Sequence, residues 1–87
     1  MNDIKLKRED VEDLTLLLAY LQSWKEPSLD ENGEKVDMHV TWIGYNFDIL
    51  DRLTEKELID SKRGRKLLYL TKKGVEKAKK VARKYHI

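Results

Sequence analysis

Apolar residues recur at helical intervals early in the chain, at Val11, Leu14, Leu17, Leu18, Leu21 and Trp24. This spacing predicts a first helix over about residues 8–23. Glu9, Asp10, Glu12 and Asp13 fall near its positive N-terminal end, where carboxylates are favoured. Leu16 lies off the stripe and Tyr20 beside it, so the apolar surface is wider than one contact needs and leaves room for a dimer partner. Pro27 is expected to end the helical region, and residues 28–35 are polar, with Asn32-Gly33 at a turn position. Val36, Met38 and Val40 then alternate with Asp37 and His39, which predicts a short half-buried strand with His39 on its polar side.

Trp42-Ile43-Gly44-Tyr45 reads as a compact turn. A second helix is predicted over about residues 46–56, with Asn46 as its cap and Asp48 in the first turn. Phe47, Leu50 and Leu53 form its expected buried stripe, with Ile49 on the flank. Leu58 and Ile59 begin a strand, Lys62-Arg63-Gly64-Arg65-Lys66 turns it, and Leu67 to Leu70 returns. Thr71 caps a last helix on which Val75, Ala78, Val81, Ala82 and Tyr85 gather on one side. Its small alanines predict close packing against the first helix. Together these elements predict one α+β domain over residues 1–87.

The order helix, strand, helix, hairpin, helix resembles winged-helix proteins, especially bacterial and archaeal regulators whose wing ends in a Leu-Thr-x-x-Gly element. The matching residues are Leu50-Asp51-Arg52-Leu53, Leu58-Ile59, Tyr69-Leu70-Thr71, Gly74 and Ala78. Leu21-Gln22-Ser23-Trp24, the run from Trp42 to Asp48 and the wing are similar to a family of short stand-alone prokaryotic domains of unknown function. That likeness covers nearly the whole chain. It implies a winged-helix-like fold with a β-hairpin wing and brings no established activity with it. Three departures stand out. Only residues 41–44 remain for a scaffolding helix, which is therefore reduced. Glu57 stands where the usual glycine follows the recognition helix, so either that helix ends differently or Glu57 takes a backbone angle costing about 1 kcal/mol or more. Lys72 and Lys73 stand where relatives often carry acids, a disfavoured choice at a helix N-terminus unless an anion is nearby.

Charge divides the chain. Residues 62–87 hold 11 Lys/Arg against the single Glu76, and residues 1–61 hold 7 Lys/Arg against 15 Asp/Glu, so halves of +10 and −8 hide inside a net charge of +2. The basic end suits a polyanion, and it equally suits the acidic half or a second copy. With no cysteine, the 87-residue chain has no disulfide, thiolate metal site or cysteine nucleophile. The apolar run from Leu16 to Leu21 is far short of the roughly 20 residues of a membrane span. No secretory pattern opens the chain, so it reads as a cytoplasmic protein. A domain of this size buries only about 60% of its unfolded surface, and dimerisation would help it.

The candidate chemistry is the basic surface. At roughly 100° per residue, Lys73, Lys77, Lys80 and Lys84 lie within about 60° of one another on the last helix. Lys72, Lys79 and Arg83 extend that ridge around the remaining non-apolar face. The expected nucleic-acid contacts are Lys62, Arg63, Arg65 and Lys66 on the wing with Lys72, Lys73, Lys77 and Lys80, all directed at phosphates rather than base edges. Solubility, or charge pairing with the acidic half, explains the same lysines. A major-groove role for the helix at residues 46–57 is opposed by Asp48, Asp51, Glu55 and Glu57 against Arg52 and Lys56.

No catalytic or metal residue and no cofactor is expected. His39 and His86 lack a readable nucleophile or metal partner, Asp48 and Asp51 read as solvated acids, and residues 30–34 resemble a calcium loop in composition alone. Trp24, Trp42, Tyr45 and Tyr69 are expected in the core, with Tyr69 the most exposed of them. The resulting expectation is a non-enzymatic homodimer, paired through the first helix with or without the last, that binds double-stranded DNA or another nucleic acid. A protein-interaction or assembly module on the same scaffold, without DNA binding, is the alternative.

Overall fold

The computed structural model describes residues 7–29, 32–42, 44, 46–61 and 66–86, with only the backbone described at 61. Three helices and four strands follow in the order α1 (Arg8–Leu21), β1 (Trp24–Leu29), β2 (Lys35–Trp42), α2 (Phe47–Glu55), β3 (Ile59–Ser61), β4 (Leu67–Leu70) and α3 (Lys72–Lys84). The strands form one antiparallel sheet of order β1-β2-β4-β3. This is an α+β fold, and its arrangement is compatible with a winged helix. Among the described residues no helix is long and apolar enough to cross a membrane.

The core is a leucine cluster between helices and sheet. Leu16 of α1, Leu50 and Leu53 of α2, Ala78 of α3 and Ile59, Leu68 and Leu70 of the sheet pack together, with Leu58 at the α2–β3 junction. Each fully buried leucine contributes about 2 kcal/mol by leaving water. Leu17 of the stripe expected for α1 is buried, and Leu14 and Trp24 are half-buried. Leu16, expected off that stripe, is however completely buried, whereas Val11, Leu18 and Leu21 are exposed. The reversal arises because α1 meets α2 and α3 through the arc that holds Glu12, Leu16, Leu17 and Ala19. Glu12 is 2% exposed and survives there because the Lys56 Nζ at the end of α2 donates to its carboxylate at 3.1 Å.

Pro27 does not close a helical region. It lies inside β1, paired with Asp37 of β2. An edge strand tolerates proline, since one of its sides has no ladder partner needing an N–H. On β2 the two faces also differ from the expected assignment. His39 and Thr41 pair with Leu70 and Leu68, which face the helices, so Val36, Met38 and Val40 lie on the opposite face. Val40 is fully buried there all the same, flanked by its register partners Trp24 and Tyr69. Trp24 and Trp42 stack at a tilt on that face, with ring centroids 5.6 Å apart. Trp42, at 62% exposure, and Phe47, at 73%, lie largely in water, contrary to the core role expected of both, while Tyr69 is half-buried. Tyr45 lies outside the described residues.

The α2–α3 junction shows why the Leu-Thr-x-x-Gly element has its composition. Glu57 adopts φ 61°, the left-handed conformation expected if it stands in for glycine. Around it, the Glu57 N–H donates to the Thr54 carbonyl and the Leu58 N–H to the Leu53 carbonyl, at 2.9 Å each, the pattern of a Schellman helix end with Leu53 and Leu58 both buried. Thr71 then ties this end to α3. Its hydroxyl donates to the Glu57 carbonyl at 2.7 Å and accepts from the Gly74 N–H at 2.9 Å, while its own N–H donates to the Leu58 carbonyl at 3.1 Å. A Cβ at Gly74 would collide with that same Leu58 carbonyl, so glycine is required by the close approach.

Candidate functional site

The junction just described fixes the start of α3, and with it the direction in which each cation of that helix points. Gly74, Ala78 and Val81 are buried, with Val75, Ala82 and Tyr85 half-buried beside them. The charged residues divide the remaining surface at roughly 100° per residue. Lys77 and Lys84 border α1, Lys73 and Lys80 form a crest, and Lys72, Lys79 and Arg83 lie on the far flank, with the exposed Glu76 between crest and flank.

The α1 side is neutralised. Lys77 Nζ stands 3.9 Å from the Asp13 carboxylate and Lys84 Nζ 3.5 Å from Asp10. Asp10 also accepts from the Lys7 N–H at 3.1 Å, which closes the first turn of α1, and from the Tyr85 hydroxyl at 3.4 Å. The Lys7 backbone hydrogen bond, followed by the charge of Lys84, holds the Asp10 carboxyl below its ordinary 3.8. The start of α1 is thereby attached to the end of α3, where cations are favoured by the helix dipole. A groove between the three helices is lined by Glu9, Asp13, Lys56, Lys73 and Lys77, so its charges are mixed.

The far flank is different. Among the described residues Lys72, Lys79 and Arg83 form no ion pair, nor do the crest residues Lys73 and Lys80. The first turn of α3 contains no acid, so Lys72 and Lys73 add to the positive end of the helix dipole rather than offset it. The flank continues onto the sheet. His39 of β2 is held below its ordinary 6.5 by burial first and then by the charges of Lys25 and Lys79, with Asp37 acting in the opposite sense. Lys25 is the register partner of His39 on β1, so β1 and α3 contribute cations to one neighbourhood. The His39 Nδ1 lies 3.5 Å from the Ser23 Oγ, and its ring stacks at a tilt on Tyr20 with centroids 5.3 Å apart.

Of the expected contacts, Lys62, Arg63 and Arg65 lie outside the described residues. Lys66, Lys72, Lys73, Lys77 and Lys80 are all exposed, but Lys77 is turned toward Asp13. Lys25 and His39 were not legible as part of this surface. Their proximity depends on β1, whose proline and polar residues conceal it in a reading by periodicity. A cross-strand partner for Val36-Asp37-Met38-His39 was the signal that could have revealed it. Among the described residues no three His, Asp or Glu side chains converge as metal ligands would. No curated protein and no solved structure matches the chain. A family model, the domain of unknown function DUF6429, matches residues 7–87, and the chain belongs to that family.

Proposed function

We propose that this protein is a non-enzymatic nucleic-acid-binding domain of winged-helix type, which holds the phosphate backbone of a duplex along α3 and the hairpin between β3 and β4. The observation that carries this reading is the asymmetry of α3. Lys77 and Lys84 are occupied by carboxylates of α1, whereas Lys72, Lys79 and Arg83 face solvent unpaired among the described residues, with Lys25 beside them. Glu76 lies between Lys80 and Arg83 at roughly 100° per residue. Among the described residues neither it nor any other carboxylate pairs with these cations, so internal charge pairing does not account for them. Lys66 is exposed immediately before β4, and Lys62, Arg63 and Arg65, which precede it in the sequence and lie outside the described residues, add three further cations to the basic half of the chain.

Such a surface neutralises phosphates and releases their counterions without reading base edges. The exposed face of α2 carries Asp48, Asp51 and Glu55, so α2 stays out of the major groove and sequence preference is weak. The test is fluorescence anisotropy of a labelled mixed-sequence duplex over a salt series. About five phosphate contacts predict a slope of log affinity against log salt near −4.5. Absence of binding at low salt rules the reading out.

A further inference from the structure

The outer face of α1 is the largest feature that nucleic-acid binding leaves unused. Val11, Leu14, Leu18 and Leu21 follow one another at intervals of three, four and three residues, the a/d spacing of a helix that packs against another helix. Among the described residues Val11 is 37% exposed, Leu18 45% and Leu21 59%, with Leu14 half-buried between them. The flanking positions on this arc are Thr15 and Gln22, and residues 14–24 contain no charge at all, in a chain with 39% charged residues. Depletion of charge around an exposed apolar seam is a mark of interface cores.

We infer that this seam pairs with the same seam of a second copy, antiparallel about a two-fold axis between Leu14 and Leu18. Such a pairing is self-complementary, with Val11 meeting the partner's Leu21 and Leu14 meeting the partner's Leu18. Charge selects the antiparallel sense. The last turn of α1 has no basic residue to satisfy its negative dipole end, whereas at the other end Lys7 and Arg8 are exposed and unpaired among the described residues. Of the acids there, Asp10 and Asp13 are engaged by Lys84 and Lys77, and Glu9 lies on the side of the helix away from the seam at roughly 100° per residue. An antiparallel partner sets each cationic start beside the other copy's uncompensated end. Four apolar side chains per copy place the contact at the small end of specific interfaces, so the dimer dissociates at micromolar concentrations.

Sedimentation of the full chain without nucleic acid tests the pairing separately from duplex binding. The mass is expected to rise from 10.3 kDa toward twice that value over a range of about 10–100 µM. Leu18→Glu is expected to remain monomeric throughout while keeping its helical circular dichroism. Phe47→Glu, which alters an exposed apolar residue outside the seam, is expected to dimerise normally. A wild-type mass that stays at 10.3 kDa up to the highest concentration overturns the inference. So does a Leu18→Glu variant that dimerises as wild type does. Because the chain has no cysteine, orientation is read from single Val11→Cys and Leu21→Cys variants. Mixing them is expected to give mixed disulfide dimers in preference to like pairs, and a preference for like pairs overturns the antiparallel arrangement.

Discussion

The two flanks of α3 carry the same kinds of side chain in opposite circumstances. Toward α1, Lys77 and Lys84 meet Asp13 and Asp10 at 3.9 and 3.5 Å. Away from α1, Lys72, Lys79 and Arg83 meet no carboxylate among the described residues, and Lys79 acts together with Lys25 on His39. A count of lysines on a helix therefore says little about binding. What matters is which cations the fold has already neutralised, and that depends on which face a neighbouring helix occupies.

The largest effect on this contrast comes from removing the glycine that seats α3. Gly74→Ala forces a Cβ into the Leu58 carbonyl and shifts α3 against both α1 and the sheet. Urea denaturation is expected to show a loss of about 3 kcal/mol, and an unchanged midpoint would contradict the close approach. Thr71→Ala removes the cap and the tie to Glu57 at the same junction, with an expected loss of about 1–2 kcal/mol. Glu57→Gly acts in the opposite direction. Relief of the left-handed strain at φ 61° is expected to add about 1 kcal/mol. A destabilised Glu57→Gly variant would show that the Glu57 side chain makes an unrecognised contribution.

Acid should separate the flanks more gently. The folded His39 takes up its proton less readily than the unfolded residue, whose ordinary value is 6.5. The unfolded chain therefore binds more protons as pH falls through and below 6.5, and stability falls with it until the folded residue is protonated as well. His39→Asn is expected to flatten stability in that window. Asp10 titrates in a lower one. Its depressed carboxyl contributes stability above its ordinary 3.8 that is lost as pH falls through the folded value. A His39→Asn variant as acid-sensitive as wild type near pH 6 would show that neither burial nor the charges of Lys25 and Lys79 hold this ring's titration down. The smallest effect is expected on the inner flank, where Lys77→Gln and Lys84→Gln remove exposed, long ion pairs and each changes stability by less than about 1 kcal/mol.

Local chemistry made much of the fold legible. The Asn46 cap, the Thr71 cap and the return strand from Leu67 to Leu70 are all present as the residues imply, and of the two outcomes open to Glu57 after α2 it takes the strained angle. Each of these features is settled within a few residues along the chain. The misread features depend on tertiary partners. Periodicity identified α1 as a helix but placed only Leu17 of its buried arc correctly. Leu14, Leu16, Leu17, Leu18 and Leu21 supply apolar residues over about 200° of its circumference, and only the positions of α2 and α3 decide among them. β1 escaped because its identity as a strand comes from pairing with β2, and its own sequence carries proline and charge. The basic surface was legible as charge, while its division into occupied and free flanks was not, since Asp10 and Asp13 are more than 60 residues from the lysines they meet.

The division of α3 is tested most directly by the salt dependence of duplex binding in paired variants. Lys79→Gln combined with Arg83→Gln is expected to make the slope of log affinity against log salt shallower by about 1.8, because two phosphate contacts are lost. Lys77→Gln combined with Lys84→Gln is expected to leave that slope unchanged. Equal losses from the two pairs, or a greater loss from the inner pair, would contradict the account.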